Sequence, residues 1–144
     1  MMELLLFLIG GRIYTWIELL WRGRTHWTMF ILGGFCFVVM GLLNEYHFEW
    51  NESLLKQSIV SACLITVLEL GTGCIVNLWL GWNVWDYSHV PFNLWGQISL
   101  PFFGVWILLS MVGIIIDDWV RYLFYLAVCD LIPIQKREKP KYHF

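Results

Sequence analysis

Three ionisable side chains sit within stretches that are otherwise apolar: Arg12, Glu18 and Glu69. A charge carried into hydrocarbon costs roughly 2.5–3.5 kcal/mol on insertion scales, so such residues usually line a bundle interior or a cavity and are candidates for function. Arg12 and Glu69 fall at similar depth in their segments, which makes them natural partners. A structural Arg12–Glu69 bridge would lower the cost of burying both. The competing reading makes Glu69 a ligand-binding or proton-coupled carboxylate. Glu18 precedes Arg22 by four residues, the spacing of an ion pair along one helix face.

A second concentration of polar groups lies in residues 82–97, where Trp85, Asp86, Tyr87, His89 and Asn93 are interleaved with further aromatics and a proline. Asp86 and Asn93 can supply turn and capping groups or ligand contacts. The segment is too apolar for a free linker. It is either an interfacial loop pinned by its rings or a re-entrant lid over a polar cavity. Asp86 and His89, with His26, could also act as acid and base on a lipid-linked substrate at the cytoplasmic interface. No Gly-x-Ser-x-Gly elbow, His-Glu-x-x-His helix or phosphate loop occurs, so no catalytic residue is assigned. The cysteines Cys36, Cys63, Cys74 and Cys129 form no metal-ligand spacing and read as small packing residues. No metal and no cofactor are expected.

The elements that must position these groups are membrane helices. Of the 144 residues 59% are hydrophobic and 14% charged, against roughly 45–50% and 25% in soluble domains. With a net charge of −2 there is no basic stripe for a phosphate backbone, which excludes nucleic acid as a partner. A spanning helix needs about 20 predominantly apolar residues. Five segments approach that: 2–21, 27–43, 57–80, 97–116 and 119–134. The reading is an all-α helical bundle of about five transmembrane helices, with four possible, over residues 1–134. Residues 135–144 form a basic tail.

Short cytoplasmic loops are enriched in Lys and Arg. The turn with Arg22 and Arg24 and the tail with Lys136, Arg137, Lys139 and Lys141 are therefore expected on one side, which requires the fifth span and a tight turn at Asp117-Asp118. That topology places the N-terminus outside, with the acidic loop 44–56, and the C-terminus and the 81–96 loop in the cytoplasm. The N-terminus has no basic region before its apolar run, so the first span reads as a retained helix rather than a cleaved signal. Trp21, Trp27, Trp79, Trp82, Trp85, Trp95 and Trp119 lie near span ends and read as an aromatic belt, with an aromatic ligand cage as the alternative. Gly10-Gly11, Gly33-Gly34 and Gly71-Thr72-Gly73 permit close helix approach, and the last could also kink the third span beside Glu69.

Gly-Gly-x-Ile-Tyr-x-x-x-Glu-Leu-Leu-Trp-Arg-Gly-Arg-Thr-His-Trp from Gly10 to Trp27, Leu-Glu-Leu-x-Thr-Gly around Glu69, and Trp-Asp-Tyr-Ser with Phe-Asn-x-x-Gly at 85–96 form a recognisable set. In these the chain resembles the ABC-transporter type IV family of small bacterial membrane proteins, over about residues 10–116. The resemblance implies a multi-pass protein of the bacterial inner membrane. The leading reading is a transporter-like or small-ligand-binding membrane component with Glu69 and the Asp86 loop as its polar focus. The alternatives are the membrane enzyme described above and a structural or regulatory oligomer. Five short helices leave little interior for a pore and offer small-residue faces, so a homo-oligomer in the lipid bilayer is expected. Without a GxxxxGK[ST] loop, any pump role requires a separate ATPase.

Overall fold

The computed structural model describes residues 1–46, 52–129 and 138–144. Four helices are long and apolar enough to cross a membrane: α1 (Met2–Arg22), α2 (Trp27–Tyr46), α3 (Leu54–Gly73) with its continuation Cys74–Trp79, and α4 (Leu100–Cys129). A short antiparallel pair, β1 (Asn93–Leu94) and β2 (Ile98–Ser99), lies between α3 and α4.

α1 and α2 form the closest pair, and reciprocal glycine steps make the approach possible. A β-carbon at Gly10 would collide with the Phe37 side chain, and one at Gly33 with Tyr14. At Gly11 and Gly34 it would lie 2.7 Å and 2.6 Å from the carbonyl oxygens of Phe30 and Phe7. Each helix thus receives the other's aromatic rings in a slot that any side chain would close. The hairpin between them turns at Gly23, whose left-handed φ of 67° lets its N–H cap the Leu19 carbonyl at 2.9 Å. α3 packs chiefly on α4, whereas α1 and α4 barely touch. An open seam results.

α3 keeps its α-helical form through Gly71-Thr72-Gly73 and becomes π-helical from Cys74 to Trp79. The irregular stretch therefore begins just beyond the glycines. Asn77, buried within it, explains what holds it: its Nδ2 donates to the Trp85 carbonyl at 3.0 Å and to Gln97 Oε1 at 2.8 Å, and its Oδ1 accepts from the Val84 N–H at 2.7 Å. π-bulges of this kind recur at functional sites.

The fifth span is not a separate helix. α4 runs unbroken for 30 residues, about 45 Å at 1.5 Å per residue, straight through Asp117 and Asp118 where a turn was expected. Those carboxylates find partners inside the protein instead of in water. Arg121 Nε donates to Asp117 Oδ2 at 2.8 Å, Arg121 Nη1 to Glu3 Oε1 at 2.8 Å, and Asn44 Nδ2 to Asp118 Oδ1 at 2.8 Å. Arg121 thus bridges Asp117 and Glu3, Asn44 serves Asp118, and the helix continues through the two carboxylates with hydrogen bonds drawn from three helices. The part of the expected fifth span beyond residue 129, the tail residues 135–137, and Glu49 of the acidic loop lie outside the described residues.

The C-terminal residues return to the bundle. The Leu54 N–H donates to the His143 carbonyl at 2.7 Å, and Tyr142 packs on the cluster of Leu6, Phe37, Met40, Leu54 and Ile114 that Met2 also joins. Residues 138–144 therefore lie against the bundle at the end where α1 begins, and the two termini share that end. The turn with Arg22 and Arg24 and the 80–99 segment occupy the other. Among the described residues the turn and the C-terminal segment thus sit at opposite ends of the bundle, with four apolar helices between them instead of the five expected.

Candidate functional site

The second core cluster, built from Met29, Leu32, Cys36, Ala62, Ile65, Val76, Val84, Trp85 and Trp106, surrounds one carboxyl group. Glu69 is 1% exposed. Its Oε2 accepts from Trp106 Nε1 at 2.9 Å and its Oε1 from the Tyr87 hydroxyl at 3.1 Å. Both donors are neutral, and among the described residues no cation contacts it. A buried carboxylate is ordinarily paired with a charge, because hydrogen bonds from neutral groups replace only part of its lost hydration.

Two cavities adjoin it. The inner one, about 110 Å³, is walled by Glu69, Tyr14, Trp106, Cys36, Gly33 and Leu109. The outer one, about 350 Å³, fills the seam between α1 and α4 and is lined by Glu18, Arg22, Tyr87, Phe102 and Val105. Tyr14, Ile17, Trp106 and Leu109 line both, and the Tyr14 and Trp106 rings stack at 5.8 Å with 25° between their planes where the two cavities meet. Tyr87 stacks on Phe102 at 4.3 Å. Glu69 is thereby set among three aromatic rings, Tyr14, Tyr87 and Trp106, at the bottom of a path that opens sideways.

The mouth of the outer cavity carries the expected Glu18–Arg22 pair along one face of α1. Glu18 also accepts from Thr25 Oγ1 at 2.8 Å, and Arg22 Nη1 reaches the Val84 carbonyl at 3.2 Å, tying the end of α1 to the 80–99 segment.

The expected Arg12–Glu69 bridge is absent. Residue 12 is two positions from both Gly10 and Tyr14, or about 200° around the helix at 3.6 residues per turn. Gly10 and Tyr14 face α2 and the inner cavity, so Arg12 emerges on the opposite, exposed side. Equal depth was the basis of the pairing, and helical phase defeats it.

The Trp-Asp-Tyr-Ser element resolves into three separate tasks. Trp85 is buried and donates through Nε1 to the Gln97 carbonyl at 2.9 Å. Asp86 faces outward and accepts from the Ser88 N–H at 2.8 Å and the Ser88 hydroxyl at 2.9 Å, which hold its carboxyl below the ordinary range. Tyr87 points inward to Glu69. Burial first, and then the neighbouring Glu69 carboxylate, hold the Tyr87 phenol above its ordinary value, so it remains a donor. Asn93 is occupied with the same turn, donating to the Val90 carbonyl at 2.8 Å and accepting from the Gly96 N–H at 3.1 Å.

Phe92 and Trp95, at 80% and 66% exposure, project outward from the segment, while Tyr87 turns inward to Glu69. Trp21, Trp27, Trp79 and Trp82 are likewise exposed at span ends, but Trp85 leaves the belt for the core. His26 accepts from the Thr28 N–H at 3.4 Å at the start of α2 and packs against Trp27 and Trp82. Among the described contacts nothing joins His26 to Asp86, whereas His89 lies near enough to Asp86 to favour its charged form.

Reading by charge alone missed Trp106, Tyr14 and Phe102. Signals for two of them existed. Tyr14, Glu18 and Arg22 repeat every four residues, which predicts one face, and Trp106 lies too far inside its span for a belt ring.

A family model described as "Putative ABC-transporter type IV" matches residues 5–131, a stretch that contains all the cavity-lining residues. No solved structure matches the chain.

Proposed function

The chain belongs to the ABC-transporter type IV family, and on that premise we propose that it is a transport-related membrane component which receives a small cation at Glu69 through the α1/α4 seam. The observation that carries this reading is a buried carboxylate with two neutral donors and no cation partner among the described residues, walled by aromatic rings. A methylated ammonium matches that chemistry: its charge compensates the carboxylate, and its methyl groups lie on ring faces, an attraction of about 0.5–2 kcal/mol per ring. The inner cavity, about 110 Å³, suits an ion of that size. Entry requires the stacked Tyr14 and Trp106 rings to part. The proton is the natural competitor for the same carboxylate.

Arrival of a cation changes what Tyr87 must do. Its hydroxyl no longer supplies half of the stabilisation of Glu69, and Tyr87 belongs to the 80–99 segment that Asn77 clamps to the π-helical end of α3. Occupancy is thereby communicated to the face of the protein outside the bundle. The sequence has no phosphate loop, so energy for directional transport would come from a separate ATPase or from an ion gradient.

Orientation follows in this reading from the four crossings. Lys56, Lys139 and Lys141 lie at the end of the bundle that holds both termini and Arg22 and Arg24 at the other, with Lys56 and Arg22 each paired to a glutamate four residues before it. The positive-inside tendency then places both termini in the cytoplasm and the mouth of the seam outside. The enzyme reading loses support because Asp86 is consumed by its own turn. The test is equilibrium binding of radiolabelled tetramethylammonium to the full chain in nanodiscs, with Glu69→Gln as the comparison.

A further inference from the structure

Arg12 has no place in the cavity account, and its surroundings define a surface of their own. Leu5, Leu8, Arg12, Trp16 and Leu19 follow one another at three or four residues, the spacing of a single helix face, and all are exposed. Arg12 lies about 15 Å from either end of α1 at 1.5 Å per residue, farther from both headgroup layers than its side chain extends. Its side chain has no hydrogen bond or ion pair among the described residues. Trp16, 63% exposed one turn away, is also too deep for an aromatic belt. With Leu8, Ile13 and Leu20 these residues border a shallow trough of about 590 Å³ along α1. An arginine facing lipid at mid-depth is costly, and such residues are found facing protein and paired with an opposite charge.

We propose that this face of α1 docks a transmembrane helix of a different membrane protein, one carrying a carboxylate at mid-depth opposite Arg12. Charge complementarity selects that occupant. A symmetric contact with a second copy through α1 would set Arg12 against Arg12. Nor do the described residues of this chain offer an exposed carboxylate at mid-depth: Glu69, Glu18 and Asp117 are turned inward to the partners given above, and Glu52 and Asp86 lie at the ends of the bundle. Trp and Arg are also the residue types that most often dominate the energy of a protein interface. The trough borders the cavities and shares Ile13, Ile17 and Leu20 with them, but Leu8, Arg12 and Trp16 line neither cavity, so the inference does not depend on the cation reading.

The test reconstitutes the full chain in liposomes with a Leu/Ala-rich spanning peptide that carries one central Glu, and measures energy transfer between labels on the two. The Glu peptide is expected to associate with the wild-type chain about tenfold more tightly than the same peptide with Gln, as one interhelical polar contact in a membrane would give. Arg12→Met should remove that difference without disturbing the fold, since residue 12 is exposed. A second variant, Arg12→Met with Val67→Arg, moves the charge to the exposed side of α3 and should not restore the preference. Equal association of the Glu and Gln peptides, an unchanged preference in Arg12→Met, or full restoration by Val67→Arg would overturn the proposal. Efficient disulfide formation between two copies carrying Leu8→Cys in native membranes would overturn it too, because it would assign the face to a second copy.

Discussion

The Tyr87 hydroxyl, at the base of the 80–99 segment, donates at 3.1 Å to Oε1 of Glu69, a carboxyl group on α3 that is 1% exposed. This bond joins a segment outside the bundle to the charge inside it. It also makes the position of that segment depend on the state of Glu69.

Tyr87→Phe should lower stability by about 1–3 kcal/mol, the usual cost of leaving a buried acceptor short of a partner. The loss should shrink in a Glu69→Gln background, because the charge that made the bond strong is gone. Unfolding equilibria of the two single variants and the double variant in bilayers measure the coupling, expected at about 0.5–3 kcal/mol for residues in contact. Additive losses would separate the two residues.

Asn77→Leu removes three hydrogen bonds that hold Val84, Trp85 and Gln97 against the π-helical turn. Hydrogen exchange should accelerate across residues 82–97 and remain slow in the rest of α3. Uniform protection would mean that the clamp lies elsewhere.

The glycines should divide by what their β-carbons would meet. Gly34→Ala sets a methyl group 2.6 Å from the Phe7 carbonyl oxygen and should cost about 1–3 kcal/mol by forcing α1 and α2 apart. At Gly71 nothing lies within 4 Å, and Gly71→Ala should stabilise by up to about 1 kcal/mol through helix propensity. Thermal unfolding in the same lipid ranks the two.

Two limbs of a pH profile follow from the 80–99 segment. The Asp86 carboxyl is held below its ordinary value by the Ser88 N–H and hydroxyl, so its contribution is present above 3.8 and lost as pH falls through the lower folded value. The Tyr87 phenol is raised, so its contribution is whole below 10.0 and declines as pH rises above that. Protection of residues 86–97 from exchange, taken relative to the intrinsic rate at each pH, should fall at both extremes. Asp86→Ala should remove the acid limb, and Tyr87→Phe the alkaline one.

The sequence carried the apolar helices, the Glu18–Arg22 pair and the burial of Glu69, because apolar run length and a charge within it are local properties. It did not carry the fate of Asp117 and Asp118. Two adjacent carboxylates ahead of an arginine read as a polar turn, and only the arrival of Glu3 and Asn44 from other helices lets the helix continue through them. Arg12 failed for a related reason: depth can be counted along a chain, but a partner depends on phase, which Gly10 and Tyr14 already fixed. Phe102 became legible only once α4 and Tyr87 of the 80–99 segment were side by side.

Binding of radiolabelled tetramethylammonium to the full chain in nanodiscs tests the central claim most directly. The account predicts saturable binding that weakens as the medium is acidified and the proton competes. Glu69→Gln should reduce it at least about tenfold, the consequence of losing some 1.4 kcal/mol of charge pairing. Trp106→Phe should reduce it less. Binding that is absent in the wild-type chain, or equal in wild type and Glu69→Gln, would contradict the assignment of Glu69 as the cation site.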